Sequence, residues 1–465
     1  MDRPQRLLDH GALASPDPRD DEAQTTKGGV VQVSEIAELS KLLDVQESKV
    51  RAHEQRYRGE VPIAFLSPKA RDALDQQLKV LSVNYSRLVV DALAERLKVV
   101  GFMIDGKHDD ALWERWRAQS MQDGAVQAIT DALATGRGFI SVWGDDGQPT
   151  VTPEDPGQCI ALRDPITREI TIGMRRWIDA GKGHATVYRP WSVDYYTSTA
   201  GAAEGASLPS DGWNLVDSRP HPLGIPPLVQ LTNRGRTADV FGISEMDAVR
   251  DLVDALTKVM IDAMVTSEYY ARPRRWGTGI EVETETNDDG EEVAIDPFAN
   301  SDRTWLAEAI EAKFGQFPTS DLAAYDTLSR TLLSQIASLG SLPAHYVFPD
   351  SAPTSGEEVK AKETSLTAKA ESRITTFSRP FADVARLMVA IRDQRPVRSI
   401  NAETVWADPA TRTIAQDADG YTKMHAEGLI STEAALSRMG WSPEQIEDDR
   451  LLRMREQALR MAAGL

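Results

Sequence analysis

The chain has 465 residues, of which 41% are hydrophobic and 26% charged. This composition excludes a wholly disordered chain and a fibrous repeat, and the length predicts about three domains. The net charge of −19 has the wrong sign for a protein that holds phosphates over its whole surface. The single cysteine, Cys159, excludes an internal disulfide and a Cys-based zinc site, and favours a reducing compartment.

The sequence lacks the patterns of membrane insertion and secretion. No apolar run approaches the length that crosses a bilayer, and residues 1–20 are polar instead of charged and then apolar. We therefore expect no membrane segment and no secretion by that route.

The N-terminal part is predicted to be helical after a polar arm. Residues 1–33 are polar and contain Gly28-Gly29, which indicates a mobile arm. Ser34 is predicted to cap the first helix. A second helix is predicted over residues 85–99, with Gly101 as its stop.

From Gly138 the apolar pattern changes to short β-branched or aromatic runs separated by Gly, Pro and Asp, which predicts an antiparallel β-rich domain. Asp146-Gly147 and Asp164-Pro165 suit chain reversals. The prolines of residues 220–227 predict an extended connector. The predicted strands are residues 139–143, 151–152, 159–162, 169–177, 185–188 and 193–197.

Two long amphipathic helices follow, separated by a predicted β-hairpin. The first is capped by Ser244 and ends near Tyr270, and the second is capped by Ser320 and ends at Leu339. Residues 280–295 predict a hairpin with an acidic tip. Each helix has one apolar stripe, so each needs a partner surface. The stripes comprise Met246, Val249, Val253, Leu256, Met260 and Met264, and Leu322, Tyr325, Leu328, Leu332, Leu333 and Ile336.

A proline-containing loop over residues 340–356 leads into a very long helix over residues 357–392. Pro380 is predicted to kink this helix because proline removes one helical hydrogen bond and clashes with the preceding turn. Residues 419–465 are predicted to form short helices, one starting at Thr432 and another opened by Pro443.

Motifs for catalysis and cofactor binding are missing from the sequence. There is no GxxxxGK[ST], no GxGxxG after a strand and no HExxH, which disfavours an ATPase, a Rossmann enzyme and a zinc enzyme. Residues 285–296 loosely resemble a calcium loop but lack flanking helices, so a hairpin turn is favoured. We therefore predict no catalytic, cofactor-binding or metal-binding residues.

Local basic groups stand out against the acidic chain. The first of two clusters, near residue 272, alternates cationic and aromatic side chains, a pattern that suits nucleic-acid binding. We favour the alternative that these cations complement the C-terminus of the preceding helix. Charges on the long helix balance and indicate a solvated face. The first cluster is Arg272, Arg274 and Arg275 with Tyr269, Tyr270 and Trp276; the second is Arg234 and Arg236; the helix carries Lys360, Lys362, Lys369 and Arg373 with Glu357, Glu358, Glu363 and Glu371.

The order of elements and three local segments resemble the portal proteins of tailed double-stranded DNA bacteriophages. The similarity covers most of residues 84–440. The three segments are Asn84-Tyr85-Ser86-Arg87-Leu88-Val89-Val90-Asp91 running into Val100-Gly101-Phe102, Asn233-Arg234-Gly235-Arg236 running to Gly242-Ile243-Ser244-Glu245, and Gly340-Ser341-Leu342-Pro343-Ala344-His345-Tyr346.

The resemblance implies an α+β multi-domain portal architecture with a β-rich wing, a helical stem, a β-hairpin clip and a helical crown. In this map residues 1–33 are a flexible N-terminal arm, 34–243 the wing, 244–270 the stem helix, 271–319 the clip, 320–339 the second stem helix, 340–356 the tunnel loop, 357–418 the long kinked helix and return to the wing, and 419–465 the crown-like C-terminal helices. The crown matches the family weakly.

The resemblance also implies a non-enzymatic structural role in the virion. Portals are rings of about twelve subunits at one capsid vertex, assembled in the host cytoplasm, through which double-stranded DNA is packaged and ejected. The implied partners are other copies of the chain, the terminase large subunit, a head-tail adaptor, and the major capsid and scaffolding proteins, with no cofactor and no membrane. The acidic charge would let DNA slide.

Three groups of residues receive roles from this resemblance. Tyr346 and Phe348 either contact the duplex or anchor their loop against the wing, and both interpretations stay open. The tunnel-loop and channel group is Pro343, His345, Tyr346, Phe348, Lys360 and Lys362; the stem-packing group is Met246, Val253, Leu256, Met260, Leu328, Leu332 and Ile336; the clip group is Arg272, Arg274, Arg275, Trp276, Asp288 and Asp289.

Two alternatives of other classes remain. One is a soluble metal-assisted hydrolase that uses Asp and Glu residues of the β-rich domain. The other is a monomeric adaptor or scaffold protein that binds a partner helix through the stem stripe. Oligomeric state separates both from the portal hypothesis.

Overall fold

The fold is given by a computed structural model. It describes residues 21–60, 83–144, 147–201, 208–209, 211–233, 236–271, 275–279, 284–286, 292–294, 311–316, 322–348, 355–410, 414–439, 441 and 443–462.

The first helix, α1 (Asp21–Arg58), begins earlier than predicted. Ser34 lies inside this helix and does not cap it, so the prediction of a mobile arm up to residue 33 is wrong for residues 21–33. The acidic Asp21 and Glu22 in the first turn favour a helix N-terminus, and polar composition is compatible with a solvated helix. The Arg56 guanidinium binds the Asp254 carboxylate at 2.8 Å, which ties α1 to a later helix.

The second helix, α2 (Tyr85–Ala94), is shorter than predicted and is followed by a strand, β1 (Val99–Ile104). Asn84 caps α2 by accepting a hydrogen bond from the Arg87 N–H at 3.1 Å. The prediction of helix up to residue 99 is wrong because β1 pairs with β15 (Ala402–Trp406), a partner far along the chain. The short β2 (Lys107–His108) completes this sheet, and α3 (Asp110–Ala118) and α4 (Met121–Thr135) follow.

The β-rich domain is antiparallel, as predicted. One sheet has the order β10-β3-β4, formed by β3 (Arg137–Trp143), β4 (Thr150–Glu154) and β10 (Leu228–Thr232). The second is a five-stranded meander, β5-β6-β7-β8-β9. Its strands are β5 (Cys159–Arg163), β6 (Ile170–Asp179), β7 (Lys182–Tyr188), β8 (Ser192–Gly201) and β9 (Trp213–Pro220). Strands β9 and β10 were not predicted, and they flank the predicted connector of residues 220–227.

Two long helices then pack against each other. Ser244 accepts a hydrogen bond from the Met246 N–H at 3.1 Å and caps a 3-10 turn (Glu245–Ala248) that leads into α5 (Arg250–Ala271). The partner helix, α6 (Ala323–Gly340), begins after the predicted cap, and Ser320 lies outside the described residues. Between them, β12 (Thr284–Thr286) pairs antiparallel with β13 (Glu292–Ala294), which confirms the predicted hairpin. Its tip lies outside the described residues.

A one-turn helix, α7 (Ala344–Val347), precedes the long helix α8 (Gly356–Asp393). Helix α8 continues through Pro380. The Thr404 hydroxyl donates to the carbonyl oxygen of Ser378 at 3.0 Å, so β15 contacts α8 beside the proline. The C-terminal part contains α9 (Ile414–Ala426), α10 (Thr432–Arg438) and α11 (Pro443–Ala462), in agreement with the predicted start of a helix at Thr432 and of another at Pro443.

One large core joins the helices to the β10-β3-β4 and β1 sheets. At its centre the Trp116 ring meets Phe102 edge-on, with centroids 5.1 Å apart, and meets Phe381 at 6.3 Å. A second core packs Ile36, Leu39 and Leu43 of α1 against the five-stranded sheet. Each fully buried side chain of this size contributes about 1.5–3 kcal/mol, so α1 and α8 are integral parts of the folded subunit.

Candidate functional site

The candidate site is the junction of three elements: the loop after α6, the first half of α8 and the start of α5. We call the described part of the loop, residues 341–348, the loop segment. Ser341 adopts a left-handed conformation (φ 59°) that ends α6, and the Leu342 N–H donates back to the Ala337 carbonyl at 2.8 Å. Pro343 then stands at the N-cap of α7. These turns direct the chain from α6 back onto the body of the subunit.

Tyr346 is held by an arginine of the N-terminal domain. The Arg96 guanidinium donates to the Tyr346 hydroxyl at 3.3 Å and lies 3.1 Å from the Glu363 carboxylate of α8. Another Arg96 nitrogen donates to the Pro409 carbonyl at 3.0 Å. Arg96 therefore links the loop segment, α8 and the chain that follows β15.

The other predicted residues of the loop segment also face the subunit. His345 Nε2 lies 3.7 Å from Glu363 Oε1, and its ring meets Tyr346 edge-on at 4.9 Å. Tyr346 and Phe348 are half-buried against the large core, where Val347 is buried. These contacts favour the anchoring role for Tyr346 and Phe348.

The predicted channel lysines lie on the first half of α8. Lys360 is exposed, and the Lys362 ammonium pairs with the Glu358 carboxylate one turn away at 2.8 Å. Lys369, farther along, donates to the Gly340 carbonyl at 3.2 Å and so closes the C-terminus of α6. Most of the lysine side chains near the loop segment thus have partners within the subunit.

A buried ionic cluster joins the start of α5 to α8. Glu245 accepts from Arg373 Nε at 2.8 Å, lies 2.9 Å from Lys369 Nζ and accepts from Asn233 Nδ2 at 3.1 Å. Burial alone would raise the pKa of Glu245, but Lys369 and Arg373 hold it below its ordinary value. The carboxylate is therefore charged at neutral pH and fixes the relative position of the two helices.

The interpretation of α8 as a solvated charged face is wrong for two of its residues. Glu363 and Arg373 are only 4% and 3% exposed. Their partners, Arg96 and Glu245, come from distant parts of the chain and were missed, as was the anchoring role of Arg96. No sequence spacing links residues so far apart; the one local signal is that Glu245 follows the predicted cap and precedes an apolar stripe.

The stem-packing residues divide into two groups. Met246, Val253 and Leu256 are buried in the large core, whereas Met260 is 37% exposed and Met264 40%. On α6, Ile336 is fully buried, Leu332 half-buried and Leu328 exposed. The partner surface that the α5 stripe needs is thus supplied in its first half by the subunit's own core.

The predicted clip residues are only partly described. Arg272, Arg274, Asp288 and Asp289 lie outside the described residues. Arg275 begins β11 (Arg275–Thr278), which pairs with β14 (Lys313–Gln316), and the half-exposed Trp276 ring lies across Gly315. A side chain at Gly315 would place its Cβ 2.5 Å from that ring, so glycine permits the contact.

The described residues contain no cluster of three or more His, Cys, Asp or Glu side chains that could hold a metal ion. Within the same residues, no helix combines the length and the hydrophobicity needed to cross a bilayer.

Comparison with known proteins decides the family. Residues 32–461 match the family model described as phage portal protein, SPP1 Gp6-like. The chain belongs to this family of phage portal proteins. The portal protein of Mycobacterium phage L5 is 30% identical over 414 residues, covering 84% of this chain and 82% of the relative. The portal protein of Mycobacterium phage D29 is 30% identical over 421 residues with the same coverage. The predicted resemblance is confirmed.

Solved structures of gene transfer agent particles also match. A chain from the virion of the native particle has a TM-score of 0.42 at 14% identity, covering 77% of this chain and 89% of that chain. A chain from the neck of the native particle, computed with C12 symmetry, has a TM-score of 0.42 at 14% identity, covering 82% and 95%.

Proposed function

We propose that the chain is the portal subunit of a virion and that it works as a closed ring at one capsid vertex. The ring would be the channel through which double-stranded DNA is packaged and ejected. The observation that carries this proposal is the match to the portal family over residues 32–461, nearly the whole chain. The role is structural, with no catalytic step assigned to any residue.

The exposed half of the α5–α6 pair supports assembly into a ring. Met260 and Met264 on α5 and Leu328 on α6 expose apolar surface within a pair of helices that is already folded. Apolar surface that the subunit leaves uncovered is stabilised when another subunit buries it. We infer that the neighbouring copy in a ring of about twelve covers this surface.

The charge and the loop segment support a channel through which DNA slides. The net charge of −19 repels phosphate, so a ring of these chains would hold DNA only loosely. The contacts of Tyr346 and His345 with Arg96 and Glu363 give the loop segment a fixed base. In this proposal Phe348 anchors that base against the core, and Pro343, Lys360 and Lys362 belong to its channel side.

The remaining assignments complete the proposal. The β11–β14 ribbon and the β12–β13 hairpin would form the clip, with Arg272, Arg274, Arg275, Trp276, Asp288 and Asp289, and would face the terminase large subunit and the head-tail adaptor. The wing would face the major capsid and scaffolding proteins. Assembly would take place in the host cytoplasm and the finished ring would remain in the virion.

The test is a mass measurement by light scattering together with negative-stain imaging of the purified chain, across protein concentration and salt. We expect closed rings with a central channel about as wide as duplex DNA. A strict monomer of 51.2 kDa under all conditions would contradict the proposal and would favour a monomeric adaptor that uses the same exposed surface. Turnover that depends on a divalent metal would instead favour the hydrolase alternative.

A further inference from the structure

A cleft of about 660 Å³ lies where the five-stranded sheet, strand β10 and the second half of α8 meet. We call it the arginine cleft, after the arginines in its lining. Five arginines face two carboxylates, a local excess of positive charge on a chain of net charge −19. The arginines are Arg163, Arg168, Arg379, Arg386 and Arg398, and the carboxylates are Asp383 and Glu169.

The α8 side of the arginine cleft holds more positive charge than its own carboxylate neutralises. Arg386 Nη1 donates to Asp383 Oδ1 at 2.6 Å, while Arg386 Nε is buried without a hydrogen-bond partner among the described residues. Burial raises the pKa of Asp383, and the nearby Arg386, Arg379 and Arg163 oppose that rise. Three guanidinium groups thus surround one carboxylate.

The Arg163 guanidinium donates hydrogen bonds to neutral acceptors. Its guanidinium donates to the carbonyl of Arg168 at 2.9 Å and to that of Gln230 at 3.4 Å. Burial lowers the pKa of Arg163, and the neighbouring Arg379 lowers it further while Asp383 opposes both. A half-buried guanidinium without a full carboxylate partner is incompletely compensated, so an added anion would stabilise this end of the cleft.

The cleft also contains a strand edge. Val142 N–H donates to the Pro227 carbonyl at 3.0 Å, and Asn233 N–H donates to the Gly136 carbonyl at 2.8 Å. Because hydrogen-bonded residues alternate along an antiparallel strand, the backbone groups of Leu228 and Gln230 point away from β3. The Arg163 bond to the Gln230 carbonyl agrees with this direction. An extended peptide could therefore use backbone groups of β10.

Apolar side chains form a further part of the cleft wall. Ile225, Pro226, Leu228, Val397 and Ile400 line the cleft between the charged groups. An aliphatic wall suits the methylene groups of glutamate and neighbouring apolar side chains, and guanidinium groups match the planar fork of a carboxylate. Duplex phosphates fit less well, because the convex surface of a duplex does not enter a recess and because Asp383 and Glu169 stand inside it.

We propose that the arginine cleft binds a carboxylate-bearing segment of a partner polypeptide. The segment places an acidic side chain between Arg163, Arg379 and Arg386 and runs along the edge of β10. The exposed Arg398 lies 3.4 Å from Glu169, which makes a weak surface pair. In the complex Arg398 leaves Glu169 and binds a second acidic side chain of the partner segment. The proposal does not depend on ring formation.

The probe is a fluorescein-labelled peptide, Leu-Glu-Glu-Leu-Glu-Glu, titrated with the full chain and followed by fluorescence anisotropy. The test variant combines Arg379→Gln with Arg398→Gln, which change exposed side chains. The charge-matched control combines Arg51→Gln with Arg236→Gln, which are exposed and lie outside the cleft. We expect saturable binding that weakens at least tenfold in the test variant and stays within twofold in the control.

Competition identifies the ligand. Unlabelled peptide should displace the probe, and its Gln-for-Glu counterpart should not. Displacement by an equal concentration of inorganic phosphate would overturn the proposal in favour of a small-anion site, and displacement by duplex DNA would overturn it in favour of nucleic acid. Equal loss of binding in the test and control variants, or no binding at all, would also overturn it. Thermal unfolding of both variants checks that neither change disturbs the fold.

Discussion

The two halves of α5 have the same apolar spacing and different surroundings. Val253 and Leu256 in the first half are buried in the core that also holds α2 and α8, and the adjoining 3-10 turn is fixed to α8 by Glu245. Met260 and Met264 in the second half are exposed, and the Met260 sulfur contacts the Ser329 hydroxyl of α6. Periodicity therefore shows that a stripe exists, and it does not show what covers each part of the stripe.

The difference separates two kinds of stability. The first half of α5 contributes to the fold of a single subunit, since Val253 and Leu256 are buried in the subunit's own core. The second half is available to a second copy, which gives the proposed ring its apolar contact. Substitutions in the two halves should accordingly affect different measurements.

The largest expected effect is on assembly. Met260→Glu should abolish rings while changing the free energy of unfolding of the subunit by less than about 1 kcal/mol, because a half-exposed position tolerates charge in the free chain but not at a dry interface. Mass by light scattering and negative-stain imaging measure the outcome. Val45→Glu, at an apolar position on α1 that is 61% exposed, is the control and should leave rings intact. Intact rings in Met260→Glu and also in Leu328→Glu would refute the assignment of this surface.

The second-largest expected effect is on the free energy of unfolding of the subunit. Leu256→Ala should lower the free energy of unfolding by about 2–5 kcal/mol, because it removes a fully buried side chain and leaves a cavity. Met260→Ala, its matched control one turn away, should cost less than about 1 kcal/mol. Urea unfolding followed by tryptophan fluorescence compares the two. Equal losses would mean that the two halves of α5 do not differ in the way the structure indicates.

Local sequence was sufficient where an element is defined by its own residues. The strands between residues 137 and 201 follow β-branched and aromatic runs with turn residues between them, and the observed helices α6 and α8 end and begin at Gly340 and Gly356, the bounds of the predicted loop. Apolar period and turn chemistry determine such elements almost without the rest of the chain.

The sequence did not predict elements and side-chain contacts whose partners lie far away in the chain. Strand β1 was not predicted because its partner, β15, lies some three hundred residues later, as the pairing of Val99 with Trp406 shows. The Arg96–Tyr346 and Glu245–Arg373 contacts join residues of ordinary composition and no special spacing. A charged residue on a helix looks solvated until the fold places its counterion, so the anchoring of the loop segment could not be chosen over DNA contact.

The third prediction concerns how the stability of the subunit depends on pH. Burial, with the nearby Asp155 and Glu54 carboxylates, raises the pKa of Asp131 on α4 to about 7. Between about pH 4 and pH 7 the folded state keeps a proton that the unfolded state has released, so this group destabilises the fold increasingly as pH rises. Asp131→Asn should therefore raise the free energy of unfolding by about 1–2 kcal/mol at pH 8 and by almost nothing near pH 4.

Denaturant titrations at several pH values measure this dependence. Asp123→Asn is the control, because Asp123 is exposed on the same helix and accepts a hydrogen bond from Gln127. It should show no comparable change with pH. A gain in Asp131→Asn that is equal at pH 5 and pH 8 would indicate that the proton on Asp131 is not the cause.

The smallest expected effect distinguishes the two roles of Tyr346. Tyr346→Phe removes the hydroxyl that accepts from Arg96 and keeps the ring that packs against the core, so it should cost about 0.5–1.5 kcal/mol of unfolding free energy. Tyr346→Ala removes both and should cost more. If the side chain instead points to DNA, neither substitution will change unfolding, and both will change the behaviour of DNA in the ring. Anchoring predicts this graded loss of unfolding free energy in the isolated subunit, where no DNA is present. If neither substitution changed the free energy of unfolding there, Tyr346 would be assigned to DNA contact in the channel instead.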